Sequence, residues 1–276
     1  MPELPEVETV ARDLGLRIVG RAIRLAELRR ERLAPETTPE TFARQITEAT
    51  VDRVHRRGKH ILIELGNGRT LIVHLRMSGR FMLLEAEAAD PKFCHAVFHL
   101  DDGRRLVFDD QRHFGMMKIA ETPTINSTKE LAKLAPEPFS DEFTPAHLYD
   151  KLRSTNRILK DVLLDQTKVC GVGNIYASEA MFLAGINPKR RSNALSLARC
   201  SALHGRIRDV LSEAIELAAA VDRHPYIVGE GVYGATSETR WRVYDREGEP
   251  CIECAAPIRR IRQNGRSTYY CSKCQR

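Results

Sequence analysis

Four cysteines near the end of the chain limit its possible folds more than any other feature. They form two pairs, Cys251 with Cys254 and Cys271 with Cys274, and sixteen residues separate the pairs. Two thiolate pairs at this spacing are typical of a tetrahedral zinc site. Because four sulfur ligands leave no open coordination position, we expect one structural Zn²⁺, which lets a short segment fold without a large core of its own.

Position 2 is the second informative feature. Removal of Met1 leaves Pro2 as the N-terminal residue, with a secondary amine in place of an amide nitrogen. An α-amino group has a pKa of about 8, so a useful fraction is unprotonated and nucleophilic at neutral pH. Glu3 and Glu6 are carboxylates that can move protons beside such an amine. The same residues also suit an ordinary helix start, with proline in the first turn and acids near the N-terminus.

Length and charge narrow the class of protein. The 276 residues suggest two domains, or one domain with an appendage, and the formal net charge is +6. Residues 240–276 carry nine Lys or Arg against four acidic residues, so most of the basic excess lies beside the cysteines. This favours a nucleic-acid contact, with a solvated charged hairpin as the alternative. Without a membrane-spanning run or a signal peptide, we expect a cytoplasmic protein that makes no membrane contact.

Hydrophobic periodicity changes along the chain. A helical pattern covers residues 5–19, and alternating patterns then predict two hairpins, over 61–75 and 96–108. Residues 122–145 are proline-rich and are interpreted as a linker. Helical patterns follow at 144–166, 175–183 and 194–220, and strands return after residue 240. The order predicts an α+β chain with a strand-rich first part, a helical second part and a terminal zinc finger.

Two kinds of turn motif have a functional and a plain interpretation. Gly171 to Asn174 enters a helix and can bind phosphate on free N–H groups, or it can be a packing turn. Met77 follows the first hairpin, and Arg112 and Phe114 follow the second. A methionine, an arginine and an aromatic side chain on neighbouring turns can wedge into a base stack, although singly each is common in a core or on a surface.

Taken together, these segments resemble the formamidopyrimidine-DNA glycosylase (Fpg/MutM) family, which has the Nei enzymes as a related family. The matching stretches occur in the family's order from one end to the other, at residues 2–8, 57–59, 74–79, 112–115, 134–138, 163–166, 172–177, 265–268 and 274–276. The resemblance implies an N-terminal β-sandwich catalytic domain with flanking helices over 1–122, a linker over 123–143, a helix-two-turn-helix DNA-binding domain over 144–239 and a four-cysteine zinc finger over 240–276. It also implies damaged double-stranded DNA as the partner, and we expect a monomer.

The resemblance further implies a bifunctional glycosylase and AP lyase that excises oxidised purines and cuts the strand by β,δ-elimination. The lesion is flipped out of the duplex to be reached. The implied catalytic residues are Pro2 as the nucleophile, Glu3 for proton transfers, Lys59 and Arg266. The implied DNA contacts are His74, Met77, Arg112, Phe114, Lys160, Asn174 and Arg266, with Glu6 near the lesion pocket.

Two departures from the family pattern leave alternatives open. His113 stands where the family usually has a second arginine, and we expect little effect. The segment over 224–240 looks shorter than the family's loop over flipped 8-oxoguanine, which leaves a shift towards ring-opened purines or oxidised pyrimidines possible. A non-catalytic zinc-finger paralogue that senses damaged DNA is the competing function, and the joint presence of Pro2, Glu3 and Lys59 argues against it.

Overall fold

The computed structural model describes residues 1–220, 224, 226–229 and 241–276. The chain divides into two compact units. The first comprises Met1–Ala132 with Leu217–Gly234, and the second comprises Lys133–Glu216 with Ala235–Arg276. No described helix is long and apolar enough to cross a membrane.

The first unit is built on eight strands in one antiparallel sheet. The strands are β1 (Ala22–Leu28), β2 (Ala49–Arg57), β3 (His60–Leu65), β4 (Arg69–His74), β5 (Gly79–Leu84), β6 (Cys94–Leu100), β7 (Arg105–Asp110) and β8 (Met116–Glu121), in the order β5-β7-β6-β1-β2-β3-β4-β8. Only two residue pairs join β1 to β2, so the sheet has two four-stranded halves. Apolar side chains of both halves share one core, as in a β-sandwich.

Two helices complete the first unit. α1 (Leu4–Ile18) and α2 (Pro39–Ile46) each bury an apolar stripe against this sheet. Helical spacing of Val7, Val10, Leu14 and Ile18 puts these side chains on one face of α1, and all four are buried. The predicted helix over 5–19 and both predicted hairpins are therefore confirmed, with small differences at their ends.

The second unit is helical and ends in a hairpin. Its helices are α3 (Pro145–Arg153), α4 (Leu159–Leu163), α5 (Asn174–Leu183) and α6 (Leu197–Ala219), the last of which ends in the first unit; β9 (Arg259–Gln263) pairs with β10 (Arg266–Tyr270). The Thr144 hydroxyl accepts the His147 N–H at 3.0 Å, which confirms the predicted helix start at Thr144-Pro145. The fold class predicted from the sequence, an α+β chain with a sandwich, a helical part and a zinc finger, is confirmed.

Candidate active site and nucleic-acid interface

The candidate catalytic residues Pro2 and Glu3 lie at the N-terminus of α1. Pro2 and Glu3 are both buried, and Glu3 is the N-cap residue of the helix. The Glu3 N–H donates to Glu6 Oε2 at 2.8 Å, while the Glu3 carboxylate accepts the Glu6 N–H, which completes a capping box. This geometry fixes the Glu3 carboxylate beside Pro2, and it gives Glu6, predicted near the lesion pocket, a structural role at the helix start.

Lys59 occupies the tight turn between β2 and β3. Gly58 takes a φ of +58°, a conformation that costs glycine little and other residues more, so the turn depends on it. Lys59 itself is only 5% exposed. On the strand just before the turn, Arg56 Nε donates to Glu8 Oε2 of α1 at 2.8 Å. The ion pair therefore joins the helix that begins at Glu3 to the strand that delivers Lys59.

Glu8 takes part in this ion pair as a charged group. Burial raises its pKa, but hydrogen bonds and charge from Arg56 and Arg12 outweigh burial and lower the pKa overall. The carboxylate is consequently ionised at neutral pH and keeps its bond to Arg56. This structural role of Glu8 could not be predicted from the sequence, because no local pattern shows which strand the helix faces.

His74, at the end of β4, lies opposite His60, the residue that directly follows Lys59. In the antiparallel β3–β4 pair Ile61 is opposite Val73, so His60 and His74 face each other, and their rings meet edge to face at 4.8 Å. Burial, with nearby His60, Arg76 and Lys59 adding to it, lowers the pKa of His74 to about 2. The ring is therefore neutral at physiological pH.

The tautomer of His74 follows from its backbone contact. Its Nδ1 accepts the Arg76 N–H at 3.0 Å, so the ring proton is on Nε2. Nε2–H is the donor through which His74 can contact a phosphate. His60, which the sequence analysis missed, is also buried, and burial lowers its pKa to about 4. Its position directly after Lys59 was the available signal.

The two turns that carry Met77, Arg112 and Phe114 are neighbours. They directly follow the two predicted hairpins and connect β4 to β5 and β7 to β8. Since β5 pairs with β7 and Gly79 is opposite Asp110, the two connections emerge side by side. Met77 is 42% exposed and Phe114 51% exposed, and the Arg112 guanidinium lies 5.3 Å from the centre of the Phe114 ring.

Asp110 organises this pair of turns. Its carboxylate accepts the Gly115 N–H at 2.7 Å, the Arg112 N–H at 3.2 Å and the Ser78 hydroxyl. Gly79 and Gly115 both press against the buried ring of Phe108, and a Cβ at either position would lie 2.7 Å from that ring. Asp110 was missed from the sequence, although an acidic residue at the end of a strand, just before the Arg112 turn, indicates a side chain that can hold turn N–H groups.

In the second unit, side chains from two helices converge on the first residues of β10. Lys160 Nζ donates to the Ser267 carbonyl at 2.9 Å and to Thr268 Oγ1 at 2.6 Å, and Asn174 Nδ2 donates to the same carbonyl at 3.1 Å. Arg266, directly before Ser267, is exposed after the Asn264-Gly265 turn. Asn174 is the first residue of α5, as the Gly171 to Asn174 motif predicts, and its buried Oδ1 has no hydrogen-bond partner within the described part of the chain.

The four predicted zinc ligands are brought together. All four sulfur atoms lie within 4.8 Å of one another, with Cys251 and Cys274 Sγ 3.9 Å apart and Cys254 and Cys271 Sγ 3.5 Å apart. Tetrahedral zinc with bonds of about 2.3 Å places its sulfurs about 3.8 Å apart, so the cluster fits one structural Zn²⁺. Although burial opposes ionisation, backbone N–H groups of Cys274 and Lys273 lower the pKa of Cys271 to about 7, which favours the ligating thiolate.

A buried carboxylate fixes the segment that leads into this zinc finger. Glu179 on α5 is 1% exposed and accepts three consecutive N–H groups, from Arg242 at 2.9 Å, Val243 at 3.0 Å and Tyr244 at 2.9 Å. The role of Glu179 could not be predicted from the sequence, since its hydrogen-bond partners lie more than sixty residues later in the chain. The loop over 224–240, on which lesion preference was argued, lies mostly outside the described residues.

Three family models match the chain. They are the formamidopyrimidine-DNA glycosylase N-terminal domain at residues 1–117, the H2TH domain of that enzyme at 134–224, and the zinc finger found in FPG and IleRS at 248–276. Together they cover the three regions that hold the candidate residues.

Full-length relatives agree with these matches. The formamidopyrimidine-DNA glycosylase of Symbiobacterium thermophilum is 44% identical over 100% of this chain and 89% of its own length. That of Bacillus subtilis is 40% identical over 100% and 99%. Among solved structures, a complex of Lactococcus lactis Fpg with DNA containing an abasic site has a TM-score of 0.91 at 34% identity and covers 99% of both chains. A complex of the same protein with DNA containing an oxidised pyrimidine has a TM-score of 0.90 at 35% identity, with the same coverage.

Proposed function

The chain belongs to the formamidopyrimidine-DNA glycosylase family and is a DNA glycosylase and AP lyase, and from this premise we propose which of its side chains perform the two reactions. The observation that carries the proposal is the start of α1, where buried Pro2 precedes a Glu3 carboxylate held by its own capping box. A helix start alone needs neither a proline at position 2 nor a glutamate as N-cap, since serine, threonine and aspartate are the common N-caps.

Base release begins at Pro2 once Met1 has been removed. The lone pair of the Pro2 nitrogen attacks C1′ of the flipped nucleotide and forms the N–C1′ bond, while the bond from C1′ to the damaged base breaks. The base leaves with that electron pair and takes a proton from water. The Glu3 carboxylate accepts the proton that the Pro2 nitrogen loses and passes it to O4′ as the nitrogen lone pair opens the sugar ring, which leaves a cationic iminium at C1′. The departing base is an oxidised purine, ring-opened formamidopyrimidines among them.

Strand cleavage follows from the iminium. The positive charge acidifies the C2′ hydrogen, a base removes this proton, and the electron pair expels the 3′ phosphate from C3′. A second elimination expels the 5′ phosphate. Lys59, in the turn beside α1, stabilises the phosphate next to the lesion, and Arg266 contributes a second positive charge at the backbone.

The remaining candidate residues bind DNA. His74 donates its Nε2–H to a phosphate, while Met77 and Phe114 enter the space that the flipped base leaves and Arg112 contacts the orphaned partner base. Asn174 and Arg266 together bind the phosphate backbone of the DNA. For Lys160, which the resemblance implies as a DNA contact, we propose instead that it stabilises β10, because its ammonium is buried against that strand. We also propose that the protein acts as a monomer.

Trapping experiments test the catalytic assignment. With Met1 removed, borohydride reduction in the presence of DNA carrying an abasic site is expected to give a covalent protein–DNA complex. Protein that retains Met1, verified by mass spectrometry, has no free amine at Pro2 and is the matched control. Glu3→Gln is expected to lower base release by roughly a hundredfold or more, the usual scale of a general acid–base residue. A processed protein that binds the abasic duplex but forms no trapped complex contradicts the proposal and favours a damage-sensing paralogue.

A panel of lesion duplexes addresses the substrate. We propose oxidised purines as the preferred lesions, 8-oxoguanine among them. Rates of base release are to be compared for a formamidopyrimidine, 8-oxoguanine and an oxidised pyrimidine in one duplex sequence, with Pro2→Gly as the reference for loss of the ring amine. Faster release of the oxidised pyrimidine than of either purine overturns the assignment of the substrate while leaving the lyase chemistry intact.

A further inference from the structure

His113 stands between Arg112 and Phe114 at the tip of the β7–β8 connection. Its backbone has a φ of +60°, in the left-handed region that non-glycine residues adopt uncommonly and that asparagine, aspartate and histidine enter most readily. Its ring is held from the side: Nδ1 lies 3.0 Å from Nε2 of His95, a buried residue of β6, and Phe93 meets the ring edge to face at 5.8 Å. The residue therefore links an exposed tip to the interior of the sheet.

The hydrogen bonds determine where the ring protons lie. His95 Nε2 is 3.0 Å from the carbonyl oxygen of Asp110, which only accepts, so Nε2 carries a proton. The same N–H faces Nδ1 of His113 at 3.0 Å, which must then be an acceptor, with the His113 proton on Nε2. The His113 ring is consequently neutral in this arrangement.

The surroundings of His95 favour its neutral form. Burial lowers its pKa, and the positive charge of Arg30 acts in the same direction, as a charge on His113 would, while the Asp110 carbonyl and carboxylate oppose them. Arg30, at the end of β1, and Asp110, at the end of β7, are the charged groups acting on His95; Arg112 is the charged neighbour of His113 in the chain.

A proton on His113 Nδ1 is incompatible with this arrangement. Two N–H groups would then face each other across 3.0 Å, so either His95 gives up its bond to Asp110 or the His113 ring leaves its place. The first change acts at the Asp110 carbonyl, in the residue whose carboxylate holds the N–H groups of Arg112 and Gly115. The second change moves the residue whose own backbone N–H donates to that carbonyl at 3.2 Å. Protonation therefore disturbs the backbone that presents Arg112 and Phe114.

We propose that His113 and His95 are a positioning pair that keeps Arg112 and Phe114 in the shape required to enter damaged DNA, and that the pair works only while both rings are neutral. This inference rests on the proposed function, in which these two side chains occupy the space left by the flipped base. His113, which was expected from the sequence to have little effect, thereby makes damage recognition dependent on pH.

The test is the ratio of two affinities, for a duplex with a tetrahydrofuran abasic analogue and for an intact duplex of the same sequence. Phosphate contacts common to both duplexes contribute equally to the two affinities and therefore cancel in the ratio. The measurement of binding also requires no catalytic turnover. Between pH 8 and pH 5.5 the wild-type ratio is expected to fall about fivefold to tenfold, the scale of one lost stacking contact.

Two substitutions separate positioning from a merely structural role. His113→Asn offers an acceptor oxygen close to the place of Nδ1, tolerates a positive φ and cannot be protonated, so its ratio is expected to stay at the wild-type pH 8 value at both pH values. His113→Ala has no acceptor and is expected to show a low ratio at both. Nitrogen-15 spectra of the free protein at pH 8 are expected to show the His95 proton on Nε2 and the His113 proton on Nε2.

Several results overturn the inference. A wild-type ratio that does not change with pH, an Asn variant that loses selectivity as the wild type does, or a His95 proton on Nδ1 each contradicts it. The borohydride assay at pH 8 keeps the two proposals apart. Trapping with a ratio independent of pH refutes the positioning pair alone, whereas absent trapping with the expected ratios refutes the catalytic assignment alone.

Discussion

The ammonium group of Lys160 donates a hydrogen bond of 2.9 Å to the carbonyl oxygen of Ser267, the residue that directly follows Arg266. Asn174 donates to the same oxygen, so α4 and α5 together hold the start of β10. Lys160 is 1% exposed. Its positive charge therefore stabilises the β9–β10 hairpin from the buried side, whereas Arg266 and Arg260 are exposed cations beside Ser267.

Lys160→Met is expected to destabilise the protein by about 1–3 kcal/mol, because the Ser267 carbonyl and the Thr268 hydroxyl lose a charged donor in a buried place. Chemical denaturation measures the change. Lys133→Met, an exposed lysine of the same unit, is the matched control and is expected to have little effect. Wild-type stability in Lys160→Met would show that the ammonium has no supporting role.

Arg266→Ala is expected to weaken binding to any duplex and to reduce the slope of log affinity against log salt concentration by about 0.9, the share of one phosphate contact. Titrations at several salt concentrations measure the slope. Arg206→Ala serves as the control, since that arginine is exposed on α6 and paired with Asp209. An unchanged slope removes Arg266 from the phosphate contacts.

Glu179→Gln is expected to destabilise the protein by about 2 kcal/mol. The carboxylate accepts three backbone N–H groups, and an amide at the same place turns one acceptor into a donor that faces an N–H. Glu213→Gln is the comparison, because Glu213 contacts Arg242 from an exposed position. Denaturation midpoints that shift equally in both variants contradict the buried role of Glu179.

The His60 and His74 pair predicts how stability depends on pH. The pKa of His60 is about 4 in the fold against about 6.5 in the unfolded chain, so between these values the unfolded chain binds more protons. Stability is complete above about pH 6.5 and falls as the pH drops towards 4, by about 2–3 kcal/mol at pH 4.5 for His60 alone. His60→Phe keeps the edge-to-face contact and is expected to lose less stability on acidification. If the free energy of unfolding depends on pH identically in the wild type and in His60→Phe, the proposed contribution of His60 is refuted.

Zinc removal is expected to unfold the terminal hairpin. A segment this short has a small hydrophobic core, so the bonds from four thiolates to one ion supply much of its folding free energy. A chelator should lower the melting temperature and abolish duplex binding, and added Zn²⁺ should restore both. Cys254→Ser is expected to behave like the chelated protein, whereas Cys94→Ser, outside the cluster, is not. Full duplex binding by metal-free protein would contradict a structural role for zinc.

Local chemistry explains why much of the fold could be predicted. The helix at α1, the two hairpins and the helix start at Thr144 depend on residues a few positions apart, whose periodicity and turn chemistry are visible in the chain. The zinc site could be predicted for the same reason, since each pair of cysteines lies on one short turn.

Long-range pairing explains what could not be predicted. The turns of Met77 and Arg112 are neighbours because β5 pairs with β7, about thirty residues apart in sequence, and no local pattern specifies that pairing. The burial of Lys160, the hold of Glu179 on residues 242–244 and the contact of His113 with His95 likewise depend on which surfaces pack together.

The sequence by itself determined the types of chemistry that the protein can carry: a proline at position 2, whose nitrogen becomes an amine if Met1 is removed, with a carboxylate beside it, four thiols at zinc spacing, and a basic terminal segment. These depend on covalent neighbours, which do not change on folding. Only the tertiary structure decided which of the polar side chains face solvent and which are enclosed, because burial and hydrogen-bond partners arise when distant strands and helices pack. Packing of this kind also buries Lys160 against β10 and places the His113 ring against His95 in the interior of the sheet.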